Sequence, residues 1–156
     1  MKTLRLPLVW ALAAAAALSA CKKDKDPEPS KTDLLTDSDW ILSAHTVSPA
    51  MEMNGQLTTD LFPHVRPCDR DDVLQFDRPN AYFLDEGASK CGSGPQSSPG
   101  TWAFTDNETV LRTQLNGKDA NTYNLLELKN GTLRLRGEQV GDDGVTYTHT
   151  FTLVKR

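Results

Sequence analysis

The chain has 156 residues, with 17 basic and 21 acidic side chains and a formal net charge of −4. That length suits one small domain with a short extension. An acidic chain without a basic stripe excludes nucleic acid and anionic lipid surfaces as partners, since both demand clustered Lys and Arg.

Lys2 and Arg5 give a positive start, Leu6 to Ala17 is apolar and alanine-rich, and Leu18-Ser19-Ala20-Cys21 follows. A basic start, a short apolar run and small residues before a cut mark a secretory signal. The run falls short of the about 20 residues that a membrane-spanning helix needs. Leu18 to Cys21 resembles the lipobox of bacterial lipoproteins at all four positions. The resemblance implies removal of residues 1–20 and a lipid on Cys21. It also implies an extracytoplasmic protein held at the outer membrane, on its periplasmic or cell-surface face. Residues 1–20 hold two basic and no acidic side chains, so the remaining chain carries a net charge of −6. Residues 21–32 form the lipidated end and a charged, proline-bearing linker, too polar to order itself. Their Lys-Lys-Asp-Lys-Asp run resembles the tag that directs some lipoproteins to the cell surface.

Residues 33–156 read as an all-β domain. A short helical turn around 31–37, capped by Thr32 or Asp33, precedes it. Period-two alternation predicts strands near 39–48, 72–77, 80–86, 100–105, 109–115, 120–129, 132–138 and 145–154. Asn116-Gly117 and Asn130-Gly131 carry the hairpin signal of two residues at ease with positive φ. Eight strands joined in series by tight turns predict an eight-stranded antiparallel up-and-down barrel, whose closure removes both sheet edges. Trp40, Leu42, Leu74, Phe76, Phe83, Trp102, Phe104, Leu111 and Leu115 are expected inside, as are Leu133, Leu135, Val145, Tyr147, His149, Phe151 and Leu153. The turn after Asp77 is expected to set Phe76 opposite Ala81 and Leu74 opposite Phe83. With Cys21 taken by lipid, Cys68 and Cys91 remain as a pair in an oxidising compartment, where a disulfide is the default. The connection 49–71 is expected to be a long loop. Its Met51, Met53, Leu57, Leu61 and Phe62 are too apolar for a free linker and suit a plug or lid over the barrel mouth.

Five segments together are similar to the small lipocalin-like domain of bacterial lipoproteins. They are Leu34 to Trp40, Cys68 to Asp72 leading into the Phe76 strand, Asp85 to Cys91, Gly100-Thr101-Trp102, and the closing Thr146–Thr152 strand. Ser38 stands where lipocalins carry Gly two residues before the first-strand Trp. The resemblance spans residues 34–156 and implies an extracytoplasmic β-barrel.

The chain offers no nucleophile elbow, phosphate loop or zinc-protease motif, so no catalytic residues are assigned and an enzyme is not expected. The histidines show no metal-like spacing and the acids Asp69, Asp71, Asp72, Asp85 and Glu86 lack calcium-loop order, so no metal and no cofactor are assigned. The expected function is a lipid-anchored, monomeric, non-enzymatic module that binds a small apolar ligand. Trp40, Trp102, Tyr147, His149 and Phe151 would form the wall, with Met51, Met53 and Phe62 at the lid. A cavity above about 300 Å³ would favour this reading. The alternative is a structural lipoprotein with a filled core that meets a protein partner through its surface.

Overall fold

The structure is a computed structural model and describes residues 28–129 and 131–156. The signal segment 1–20 and Cys21 lie outside the described residues.

The first element is the helix α1, Lys31–Thr36. Ser30, not Thr32 or Asp33, is its N-cap, and Asp33 completes a capping box at the third helical position. The Ser30 hydroxyl accepts from the Asp33 amide at 3.0 Å, and the Asp33 carboxylate accepts from the Ser30 amide at 2.9 Å. These bonds satisfy amides that the helix itself leaves unpaired. One turn of helix has little stability alone. Its fully buried Leu35 holds it against the barrel, and the Trp40 indole N–H donates to the Leu35 carbonyl at 2.9 Å. An Arg78–Asp33 ion pair and a Lys155–Asp37 pair at 3.3 Å tie the helix rim to β-strand ends.

Nine strands follow: β1 Trp40–Met53, β2 Gln56–Asp60, β3 Val73–Asp77, β4 Ala81–Asp85, β5 Ser97–Thr105, β6 Val110–Leu115, β7 Asn121–Lys129, β8 Thr132–Val140 and β9 Thr146–Lys155. All neighbours are antiparallel, and β1 pairs with β9. β1 and β3 to β9 therefore close the eight-stranded up-and-down barrel that alternation predicts, with β2 added outside it. The expected 49–71 loop is thus half strand. Asn54 and Gly55, at φ of 54° and 81°, form the tight turn between β1 and β2. Only residues 61–72 remain as an irregular connection, with two short 3₁₀ turns at Phe62–His64 and Pro67–Asp69.

Two departures from simple alternation decide which side chains face inward. Asp77 pairs with Ala81 and Phe76 with Tyr82, so the turn between β3 and β4 holds three residues and the register shifts by one from expectation. A slip of one residue exchanges the two faces of a strand. Tyr82 and Leu84 consequently face the lumen, and Phe83 does not. In β1 the pairing with β9 passes from Leu42↔Leu153 to Ala44↔Thr152, a bulge at Ser43. Trp40 and Leu42 point inward before it, His45 and Val47 after it. A second bulge in β7, between Leu125 and Glu127, does the same for Leu128 and leaves Leu126 on the surface.

The main core joins Leu35, Trp40, Phe76, Trp102, Leu111, Leu133 and Leu153 at the α1 end of the barrel. A smaller cluster of Val47, Leu61 and Tyr147, with Met51 and Met53 against it, lies under the β1–β2 hairpin. Between them β1 and β3 are joined at only two positions, Trp40↔Leu74 and Ile41↔Val73. Beyond Ile41 the two strands part.

Cys68 and Cys91 form the expected disulfide, with Cα atoms 5.2 Å apart, and pin the approach to β3 against the loop after β4. Their separation of 23 residues gives a stabilisation of about 3 kcal/mol in the chain-entropy model. The Cys68→Ala, Cys91→Ala double variant should therefore lose about that much in urea unfolding. Reductant should shift the parent's midpoint and leave the double variant's unmoved.

Candidate functional site

The lumen beyond the core holds a cavity of about 190 Å³. Seven of the eight barrel strands contribute to its wall, from Leu42 of β1 through Leu74, Leu84, Thr113 and Leu135 to Leu153 of β9. Four aromatic rings, Phe76, Tyr82, Tyr123 and Phe151, complete it. The volume is below the about 300 Å³ at which drug-sized pockets begin. It exceeds the 150 Å³ of an engineered apolar cavity that takes up benzene. The space suits one ring or a short chain. Burial raises the Tyr82 and Tyr123 phenols above their ordinary range, so both are neutral donors at any physiological pH.

The cavity edge is acidic. Asp69 and Asp72 reach it from the connection 61–72, and Asp72 directly precedes Val73, where β3 parts from β1. Neighbouring carboxylates are committed to holding the surrounding loops. Asp69 accepts from the Arg66 Nε and Nη2, at 2.6 and 2.7 Å. Asp71 accepts from the amides of Ala88 and Ser89, both at 2.9 Å, and Glu86 from the Cys91 amide at 3.1 Å. Gly87 makes this close packing feasible. Its φ is +63°, and a Cβ there would lie 2.2 Å from the Asp71 carbonyl oxygen. Asp71 and Asp72 each keep Oδ1 buried with no hydrogen-bond partner among the described residues, and of the two only Asp72 lines the cavity. The Asp72 carboxyl is also shifted: burial, then Glu86, Asp69 and Asp71, push it up to about 6, against the opposing pull of Arg66.

The Cys91 sulfur lies 3.0 Å from an Asp69 oxygen, and Cys68 completes a close trio of potential ligand atoms. A disulfide sulfur has neither proton nor thiolate charge, so this trio neither hydrogen-bonds through sulfur nor binds metal while oxidised.

A more open recess of about 380 Å³ adjoins the cavity, and Tyr123 and Phe151 line both. The β1 bulge brings His45 into it, where its Nε2 meets the His149 Nδ1 at 3.0 Å. One of the two nitrogens must carry the proton between them, so at least one ring is a defined tautomer. His45 also stacks on Phe151, ring centroids 4.4 Å apart. Burial lowers the basicity of both histidines, and each positive ring would further oppose the other at His45. The spacing between His45 and His149 in sequence gave no sign of this pair, because it depends on the bulge.

Of the residues assigned from sequence, Phe151 lines the cavity and His149 the recess. Trp40 and Trp102 are packed in the core nearer α1, with the Trp102 indole donating to the Asp77 carbonyl at 3.0 Å. Met51, Met53 and Tyr147 meet in the smaller cluster, where the Tyr147 hydroxyl donates to Asp143 at 2.6 Å. Phe62 lies under the Arg70 guanidinium, 5.5 Å from its ring centroid. The structure thus divides that set among the cavity, the recess, the core, the smaller cluster and the Arg70 contact. Sequence reasoning did not single out Tyr82, Tyr123 or Asp72 as site residues. The first needs the true β3–β4 register, and the last needs its place on the cavity wall.

No protein-family model matches the chain, and no curated protein matches it. Among solved structures it is similar to bovine odorant-binding protein in complex with a selenium-containing odorant, at 14% identity and a TM-score of 0.44, over 86% of this chain and 77% of that one. The complex of the same bovine protein with undecanal matches at 15% identity and 0.42, over 85% and 77%. At these values the likeness is one of outline.

Asp72 leaves a signature in the pH dependence of stability. Its carboxyl ionises near 3.8 when unfolded and about 6 when folded, so between those values the folded chain holds the extra proton. Stability falls with rising pH across that window. Asp72→Asn removes the effect. Its melting temperature should exceed the parent's by an increment absent below pH 4, growing to pH 6 and constant above. Thermal melts at a series of pH values check this.

Proposed function

We propose that this protein is a non-enzymatic binding module that takes one small, largely apolar molecule into the barrel lumen. The carrying observation is the cavity itself, walled from seven strands by leucines and aromatic rings and set beyond a core that α1 closes. An apolar cavity with few polar groups at one edge is the usual form of a small-molecule site. The alternative of a wholly filled barrel is less favoured, because the side chains of the lumen leave space for a ring. The acids at the edge do not form an acid–base pair, since Asp69 is held by Arg66. Indole is a suitable neutral probe. It should stabilise the full chain in thermal melts and bind saturably by calorimetry. Leu84→Phe fills the lumen from β4 and should abolish that binding while the variant still melts cooperatively. Equal binding by the variant, or none by the parent, would refute the cavity as the site.

Attachment through a lipid on Cys21, at the outer membrane, belongs to the same proposal. Its support is the resemblance of Leu18 to Cys21 to a lipobox after a short apolar run. Cells expressing the parent chain and fed labelled palmitate should give a labelled, membrane-bound protein. Cys21→Ala should be unlabelled and released to the soluble fraction.

A further inference from the structure

We infer that the ligand of this cavity is an organic cation, a small amine whose ammonium group meets Asp72 while its apolar body fills the aromatic lumen. This deepens the binding reading above and rests on it. The lining makes two independent demands, and an apolar amine meets both.

The first is the unpaired acceptor. A buried polar atom without a hydrogen bond costs free energy, and an ionised one costs more. Each neighbouring acid has an assigned partner: Asp69 has Arg66, Asp71 two loop amides, and Glu86 the Cys91 amide. Asp71 and Asp72 each keep a buried oxygen without a partner, and of the two only Asp72 lines the cavity. No lysine or arginine is among the residues that line it. A neutral apolar guest would leave that oxygen as it is. A carboxylate guest would face Asp69 and Asp72 together. An ammonium donates to Asp72 and offsets its charge, the stronger kind of hydrogen bond.

The second demand comes from the rings. Phe76, Tyr82, Tyr123 and Phe151 line the same space. Aromatic faces attract cations, and a desolvated cation gains most. A carboxylate at the edge of an aromatic cup selects for positive charge on a hydrophobic body.

The groups that set the charge state of Asp72 are Glu86, Asp69, Asp71 and Arg66, with the neutral Tyr82 phenol beside it. Together they leave it ionised only above about pH 6. The preference for amines should therefore disappear on mild acidification, where an alkylammonium, which titrates near lysine's value of about 10.4, keeps its charge.

Calorimetry on the full chain with three probes of one shape tests this: 2-phenylethylamine, 2-phenylethanol and 3-phenylpropionate. At about pH 7.5 the amine should bind about tenfold or more tighter than the alcohol, with the carboxylate weakest. At about pH 5, and in Asp72→Asn at either pH, amine and alcohol should converge to within about twofold. Alcohol binding as tight as amine binding, or an amine preference that survives Asp72→Asn, would overturn the inference and leave the cavity reading intact. Failure of all three probes to bind would overturn both.

Discussion

The ladder between the first strand and the last governs the rest of this molecule. β1 pairs with β9 from Trp40↔Lys155 to Ser48↔Thr148, but with β3 at only two positions. Without β9, the first strand would be held to the barrel by two residue pairs and by Leu35 beneath Trp40. The same ladder sets what the lumen contains. Its bulge at Ser43 turns His45 inward against His149 and Phe151, where strict alternation from Trp40 would have sent it out. Bulges commonly re-aim a side chain in this way.

Burial opposes unpaired charge of either sign on the side chains of the lumen. Burial raises the Asp72 carboxyl and lowers the His45 and His149 rings, three shifts with one physical origin. Each group is driven toward its neutral form, and the three effects act in opposite directions on stability. The histidines favour the fold as pH rises through their folded range, whereas Asp72 disfavours it as pH rises toward 6. Above about pH 6 the Asp72 carboxyl is an internal anion.

Strands were legible in the sequence because half-buried strands must alternate, and the disulfide because two cysteines remained once Cys21 was assigned. The Asn54-Gly55 turn was equally legible by the rule that marks Asn116-Gly117, yet the apolar residues around it made the segment resemble a plug. Phe83 was misassigned to the interior because a turn of three residues and one of four differ by a single position, and a single position reverses a face. The cavity could not be read at all. Whether Leu42, Tyr82 and Phe151 meet or leave a gap depends on the tilt and register of seven strands at once. Asp72 looked like one acid among five, and its place on the cavity wall is what separates it from Asp71, which also keeps a buried, unpartnered oxygen.

The position of α1 fixes an orientation. The helix sits at the closed end, its Leu35 in the core and its first turn joined to Arg78 at the β3–β4 turn. Residues 28–30 therefore meet the barrel at the helix end, whereas Asp72 and the histidine recess lie toward the other end. The helix that closes one end of β3 thus takes no part in the acidic edge at the other.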